Sequence, residues 1–228
     1  MVAVLVHSPL VGPATWRFAA AALEARGMSA VVPSLLGFEN FPPPRWRRCV
    51  DLAVAAVPAY SAGLVLVGHS GAGALLPWIG RWLRPRVRAY VFADAGLPAA
   101  DGPTPVVPPA FRAFLETRAV AGRLPPWSEW WGDDALRELV PDDALRELVS
   151  AEMPALPLDY FAEQVPLPGG WPDAPCGYLR FSDAYEPAAA EAGARGWPVA
   201  SLEGGHLHPA VRPDAVAAAL LDLLVRLT

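Results

Sequence analysis

Six short apolar runs punctuate the chain, at residues 2–7 (VAVLVH), 30–33, 64–68 (LVLVG), 89–93, 177–181 and 199–202. None alternates cleanly between apolar and polar positions. Strands of that kind are buried on both faces, which predicts a parallel sheet covered by helices on its two sides. Between and after the runs, residues 15–26, 45–57, 73–82 and 213–227 carry apolar positions at helical spacing. The last of these, PDAVAAALLDLLVRL, opens on Pro213 and Asp214 as a helix start does. The pattern predicts an α/β fold with one sheet of about six strands.

The alternation breaks between about Leu97 and Pro172, where proline and tryptophan become frequent and Trp127, Trp130, Trp131 and Trp171 fall. Within this stretch the eight residues 133–140 recur as residues 142–149 (DDALRELV). A nine-residue shift turns a continuous helix by about half a turn and would point the copies to opposite sides. Pro141 between them instead predicts two short helices, each burying its leucines and valine. Two copies are too few for a solenoid. The expectation is a single domain over residues 1–228, with a helical cap inserted at about residues 97–172.

Composition changes this picture little. The chain has 228 residues, enough for a large core, and 54% of them are hydrophobic. No apolar run approaches the ~20 residues that cross a bilayer, and the start lacks the basic region and long apolar stretch of a signal peptide. Net charge is −5, arginine is the sole basic residue type beside histidine, and no basic block exists to hold nucleic acid. Cys49 and Cys176 are too far apart and too few for a disulfide framework or a metal cluster. These features predict a cytoplasmic protein with no membrane, nucleic acid or metal among its partners.

The chemistry concentrates in LVLVGHSGAGALL, residues 64–76. An apolar strand runs into Gly68-His69-Ser70-Gly71-Ala72 and then a helical stretch, close to the G-x-S-x-G pattern with alanine at its last position. A sharp strand-to-helix turn lifts its central hydroxyl clear of the sheet and aims the next N–H at a developing oxyanion, which makes Ser70 the candidate nucleophile and Gly71 an oxyanion donor. A serine nucleophile needs a base. His69 shares the turn with Ser70 and points elsewhere, and His7 ends the first strand, where it braces the following loop. His206 follows the last strand on a Gly-Gly turn and is the candidate base, with His208 the alternative.

Together these stretches resemble the α/β-hydrolase superfamily, in particular its small cap-bearing esterases and methylesterases and the related hydroxynitrile lyases. VLVHSPLVGPATW is similar to the strand and oxyanion loop, GHSGAG to the nucleophile elbow, LRFSDAYEP to the acid turn and EGGHLHPAVRPDAVAAAL to the histidine loop. The superfamily order of serine, acid and histidine is kept. The resemblance implies Asp183 as the acid, with Asp94 at the end of the preceding strand as the alternative and Glu186 a third. It also implies that the first antiparallel strand pair is missing, leaving an edge that a homodimer would cover. The family's oxyanion loop reads His-Gly-x, where x donates its N–H. Here the matching residue is Pro9, which has none, so Leu10 is the expected second donor and the Ser8 hydroxyl its substitute.

The sequence therefore predicts a cofactor-independent serine hydrolase for an ester, lactone or thioester of a small apolar acid, with Trp127, Trp130, Trp131 and His69 beside the substrate. A lyase or cyclase using the same triad without an acyl-enzyme, or a non-enzymatic ligand receptor, is the alternative.

Overall fold

The computed structural model describes residues 1–61 and 63–227. Its centre is a six-stranded sheet made of β1 (Val2–Val6), β2 (Ser29–Val31), β3 (Leu64–His69), β4 (Val87–Ala93), β5 (Cys176–Arg180) and β6 (Val199–Ser201). The strand order is β6-β5-β4-β3-β1-β2 and every pairing is parallel. Consecutive side chains of a strand leave opposite faces, and here both faces are apolar. On one face, Leu5, Val65, Val67, Val91 and Leu179 pack against Trp16 and Leu23 of α1 (Ala14–Glu24) and Leu220 and Leu223 of α9 (Pro213–Val225). On the other, Val4, Val6, Leu66, Tyr90 and Phe92 meet α2 (Arg45–Ala55), α3 (Leu76–Leu83) and Ala189 and Ala192 of α7 (Glu186–Ala194).

The chain between β4 and β5 makes no strand of this sheet. It forms α4 (Pro109–Arg118), α5 (Asp133–Leu139) and α6 (Asp143–Ser150), with two ribbons of two residues a strand. The repeated octapeptide is two separate helices, and Leu136, Val140 and Val149 close a small core with Val11, Leu207 and Ala210. That core ties the excursion to the loop after β1 and to α8 (His208–Val211), at the carboxyl end of the sheet. Ligands of open parallel sheets bind at this end.

The turn after β3 is tightly made. Ser70 has φ 55°, a left-handed value that side chains other than glycine seldom adopt. A Cβ on Gly68 would lie 2.8 Å from Leu76 Cγ, and one on Gly73 would overlap the Gly96 carbonyl oxygen. Residues Ser70–Leu75 form a 3-10 turn that leads into α3, so the α-helix proper begins three residues later than the sequence pattern predicts.

Candidate active site

Loops after five strands converge on Ser70. The loop after β1 contributes His7 and Ser8, that after β3 the elbow itself, that after β4 Asp94, that after β5 Ser182 and Tyr185, and that after β6 His206. His206 Nδ1 lies 2.9 Å from Asp94 Oδ2. A carboxylate only accepts, so Nδ1 carries the proton and Nε2 is left as a base. Asp94 is 0% exposed, sits at φ 44° and accepts three further hydrogen bonds, from the Phe181 amide (2.7 Å), the Ser182 amide (3.1 Å) and the Ser182 hydroxyl (2.6 Å). Burial by itself would raise its pKa. The hydrogen bond and charge of His206, with the Ser182 and Phe181 donors, outweigh burial and hold the carboxyl below its ordinary range.

Asp183, expected to serve His206, does not reach it. Its carboxylate points to solvent and pairs with Arg180 at 3.0 Å, and Glu186 takes the same guanidinium at 3.0 Å. The turn after β5 aims its preceding residue inward instead, so Ser182 meets Asp94 while Asp183 starts a one-turn 3-10 segment on the surface. His208 packs against Phe181 and lies outside the Asp94 pair.

The loop after β1 also departs from expectation. The Leu10 amide, expected to face the site, donates to Ser8 Oγ at 3.3 Å. Ser8 is buried, and its Oγ lies 3.5 Å from the position a Cβ would take on Gly71. Having accepted from Leu10, the hydroxyl keeps its own proton to donate beside the Gly71 backbone. The loop is held from below by His7, whose Nδ1 donates to the Ser8 carbonyl (2.8 Å) while Nε2 accepts from the Leu35 amide (3.0 Å). Glu152, just after α6, anchors the far end of this loop by accepting the amide of Ala14, the first residue of α1, at 2.6 Å.

His69 donates through Nε2 to the His206 carbonyl oxygen at 2.9 Å, and its ring lies 4.5 Å from the His206 ring. It therefore fixes the histidine loop as well as lining the cavity. Burial pushes His69 down to about 3 and His7 down to about 4, so both rings stay neutral in the native protein. Their unfolded value is 6.5, and the unfolded chain takes up protons below it that the native state refuses. Stability is thus complete above pH 6.5 and declines as pH falls toward 4. Between pH 7 and pH 5 the loss should be on the order of 2 kcal/mol for each ring. Urea unfolding at the two pH values measures it, and equal unfolding free energies would contradict the neutral assignment.

A cavity of about 290 Å³ opens over Ser70. Phe111, Trp127 and Trp131 line it from the excursion, and Ser8, Leu10 and Tyr185 from the loops beneath. Among the described residues no aspartate, glutamate or arginine faces it. Trp127 stands edge-on to His206 at 6.1 Å, and Trp131 stacks on Phe114 at 4.7 Å. Trp130, expected at the substrate, is 1% exposed and does not line the cavity; its indole donates to the Pro125 carbonyl and packs against Phe111 and Phe161. Ser182, Phe111 and Tyr185 are site residues that sequence reasoning misses. Ser182 and Tyr185 flank Asp183 in the turn SDAYEP and Phe111 lies on α4, so their place beside the expected acid or within the insertion is the one signal that could have marked them.

An open parallel sheet with a strained serine turn, a buried carboxylate–histidine pair and an apolar cavity at its carboxyl end defines a class of fold and site. The chain belongs to the alpha/beta hydrolase family, whose sequence model matches residues 3–219. No curated protein matches it at a significant level. Among solved structures it is similar to an extracellular alpha/beta-hydrolase from a Paenibacillus species, described as sharing structural and functional homology with tobacco salicylic acid binding protein 2. Identity there is 17% and the TM-score 0.76, over 100% of this chain and 98% of that one. A pyrethroid hydrolase from Sphingobium faniae is 21% identical with a TM-score of 0.71, covering 97% and 96%. A polyneuridine aldehyde esterase variant is 15% identical with a TM-score of 0.74, covering 97% and 98%. At these identities the likeness is one of fold.

Proposed function

We propose that the protein is a serine esterase for small, neutral, largely apolar esters, lactones or thioesters. The observation that carries this reading is the Asp94–His206 hydrogen bond of 2.9 Å at the sheet end where Ser70 is lifted at φ 55°. His206 Nε2 takes the Ser70 proton as Oγ bonds to the carbonyl carbon. The C=O electron pair moves onto oxygen, where the Gly71 amide and the Ser8 hydroxyl hold it. Collapse breaks the bond to the alcohol, which leaves with the proton from His206. Water, deprotonated by the same nitrogen, then releases the acid and restores Ser70. Asp94 stays ionised throughout, fixing the tautomer and stabilising the imidazolium. Membership of the alpha/beta hydrolase family and the hydrolase names of the neighbours support a hydrolase in general terms.

The cavity supports the substrate class. At about 290 Å³ it is at the small end of ligand sites, and its walls offer aromatic rings but no partner for a charged acid. Short-chain aryl and alkyl esters should therefore turn over, and their dicarboxylate counterparts should not. Ser8→Ala removes the hydroxyl donor, together with the acceptor of the Leu10 amide, while leaving the His7 brace on the Ser8 carbonyl in place. It should lower kcat on a short nitrophenyl ester by about 100-fold with a small change in KM. Undiminished kcat in a folded Ser8→Ala protein would return the second donor to the Leu10 amide.

A further inference from the structure

Tyr185 holds a place that this mechanism has not used. Its hydroxyl lies 3.2 Å from Ser70 Oγ, and no other side-chain hydrogen bond of Tyr185 is made among the described residues. Its ring lies parallel to the His206 imidazole, 5° from coplanar orientation, with centroids 5.0 Å apart. The phenol therefore reaches past the face of the histidine to the reacting oxygen. Burial pushes it above the ordinary tyrosine pKa, so it is a donor at all working pH values.

Strand order fixes the side from which it approaches. Ser70 directly follows β3, and Ser8 comes from β1 on one flank of it. Tyr185 and His206 come from the turns after β5 and β6 on the other flank, beyond β4. In acyl transfer at Ser70 the carbonyl oxygen swings toward the donors of the first flank, and the departing alcohol must face His206 to receive its proton. We propose that the Tyr185 hydroxyl is a catalytic group for the leaving-group side. It exchanges its resting hydrogen bond to Ser70 for one to the alcohol oxygen as that oxygen gathers charge, and makes the enzyme effective on esters of poor leaving groups such as aliphatic alcohols. The proton that accompanies the alcohol still comes from His206; the tyrosine donates a hydrogen bond and keeps its proton, so no additional reactant is needed.

This inference rests on the esterase reading above, and the test separates the two. Wild type and Tyr185→Phe, which keeps the ring stacked on His206, are compared by kcat/KM on p-nitrophenyl butyrate and ethyl butyrate. Nitrophenolate is a weakly basic, delocalised anion that departs without a donor, whereas an alkoxide oxygen is strongly basic and depends on the His206 proton and on any further hydrogen bond as its bond to carbon breaks. The expected result is a loss of about 10- to 100-fold on the ethyl ester, the worth of a hydrogen bond to a charged oxygen, against at most about 3-fold on the nitrophenyl ester. Equal losses on both esters would make Tyr185 a structural prop, and no loss on either would make its contact with Ser70 idle; each overturns the proposal while leaving the esterase intact. A wild-type protein that turns over neither ester overturns the esterase reading itself, and the leaving-group role with it.

Discussion

Replacing Ser70 or His206 with alanine is expected to lower kcat by roughly 10⁵-fold, and replacing both should be scarcely worse than replacing either. The two groups act as a unit: without the Ser70 hydroxyl there is no proton for His206 to take, and without His206 the hydroxyl stays a poor nucleophile. Neither change should threaten the fold. Ser70→Ala retains a strained φ but deletes one atom facing the cavity, and His206 is only partly buried. Steady-state kinetics on one activated ester, with melting temperatures as the control, checks the claim. Independent, additive losses would break the unit apart.

Asp94→Asn should produce the second large effect, about 10⁴-fold in kcat. The reason lies in the donors that surround this side chain. Phe181 and Ser182 amides require an oxygen at Oδ1, which obliges the new amide nitrogen to face His206 Nδ1 and the Ser182 hydroxyl. Two donors cannot face each other, so His206 must move its proton to Nε2, where it can no longer accept from Ser70. Asp183→Asn removes only a solvent-facing ion pair with Arg180 and should leave kcat within about 2-fold, since such pairs contribute little. Parallel kinetics on the two folded variants decides between the carboxylates, and the opposite ranking would return the acid to the turn after β5.

The choice between these aspartates marks the boundary of what the chain discloses before it folds. The sheet is legible because burial on both faces leaves local apolar runs, and each of the six appears as a strand displaced by no more than a residue or two. The elbow is legible because its glycines answer a local steric demand: Leu76 and the Gly96 carbonyl approach too closely for a side chain. Ser70 and His206 are brought to one sheet end by strand order alone. The acid is different, because Asp94 and Asp183 both follow strands at that end. Which of them reaches His206 depends on how two turns are rolled about the sheet, and on Phe181 and Ser182 donating to one carboxylate and not the other. No local pattern encodes that.

The same limit explains Leu10 and Trp130. Pro9 signals that the oxyanion loop departs from the usual form, but the direction of the Leu10 amide follows from the His7 brace below and from Glu152, 138 residues along the chain from Ala14. Trp127, Trp130 and Trp131 stand within five residues on one irregular stretch, where no helical or strand period says which ring turns toward the cavity. Tyr185 is hidden for a related reason: it becomes a neighbour of Ser70 through a contact spanning 115 residues.

The account depends most on Ser70 being an activated nucleophile, and covalent labelling tests that directly. A small alkyl fluorophosphonate added to the folded protein at neutral pH should modify one site, to completion, with the mass increment on the peptide carrying Ser70. His206→Ala and Asp94→Asn should slow the reaction by orders of magnitude while leaving the protein folded. Failure of the wild-type protein to react, or modification at a residue other than Ser70, would contradict the account.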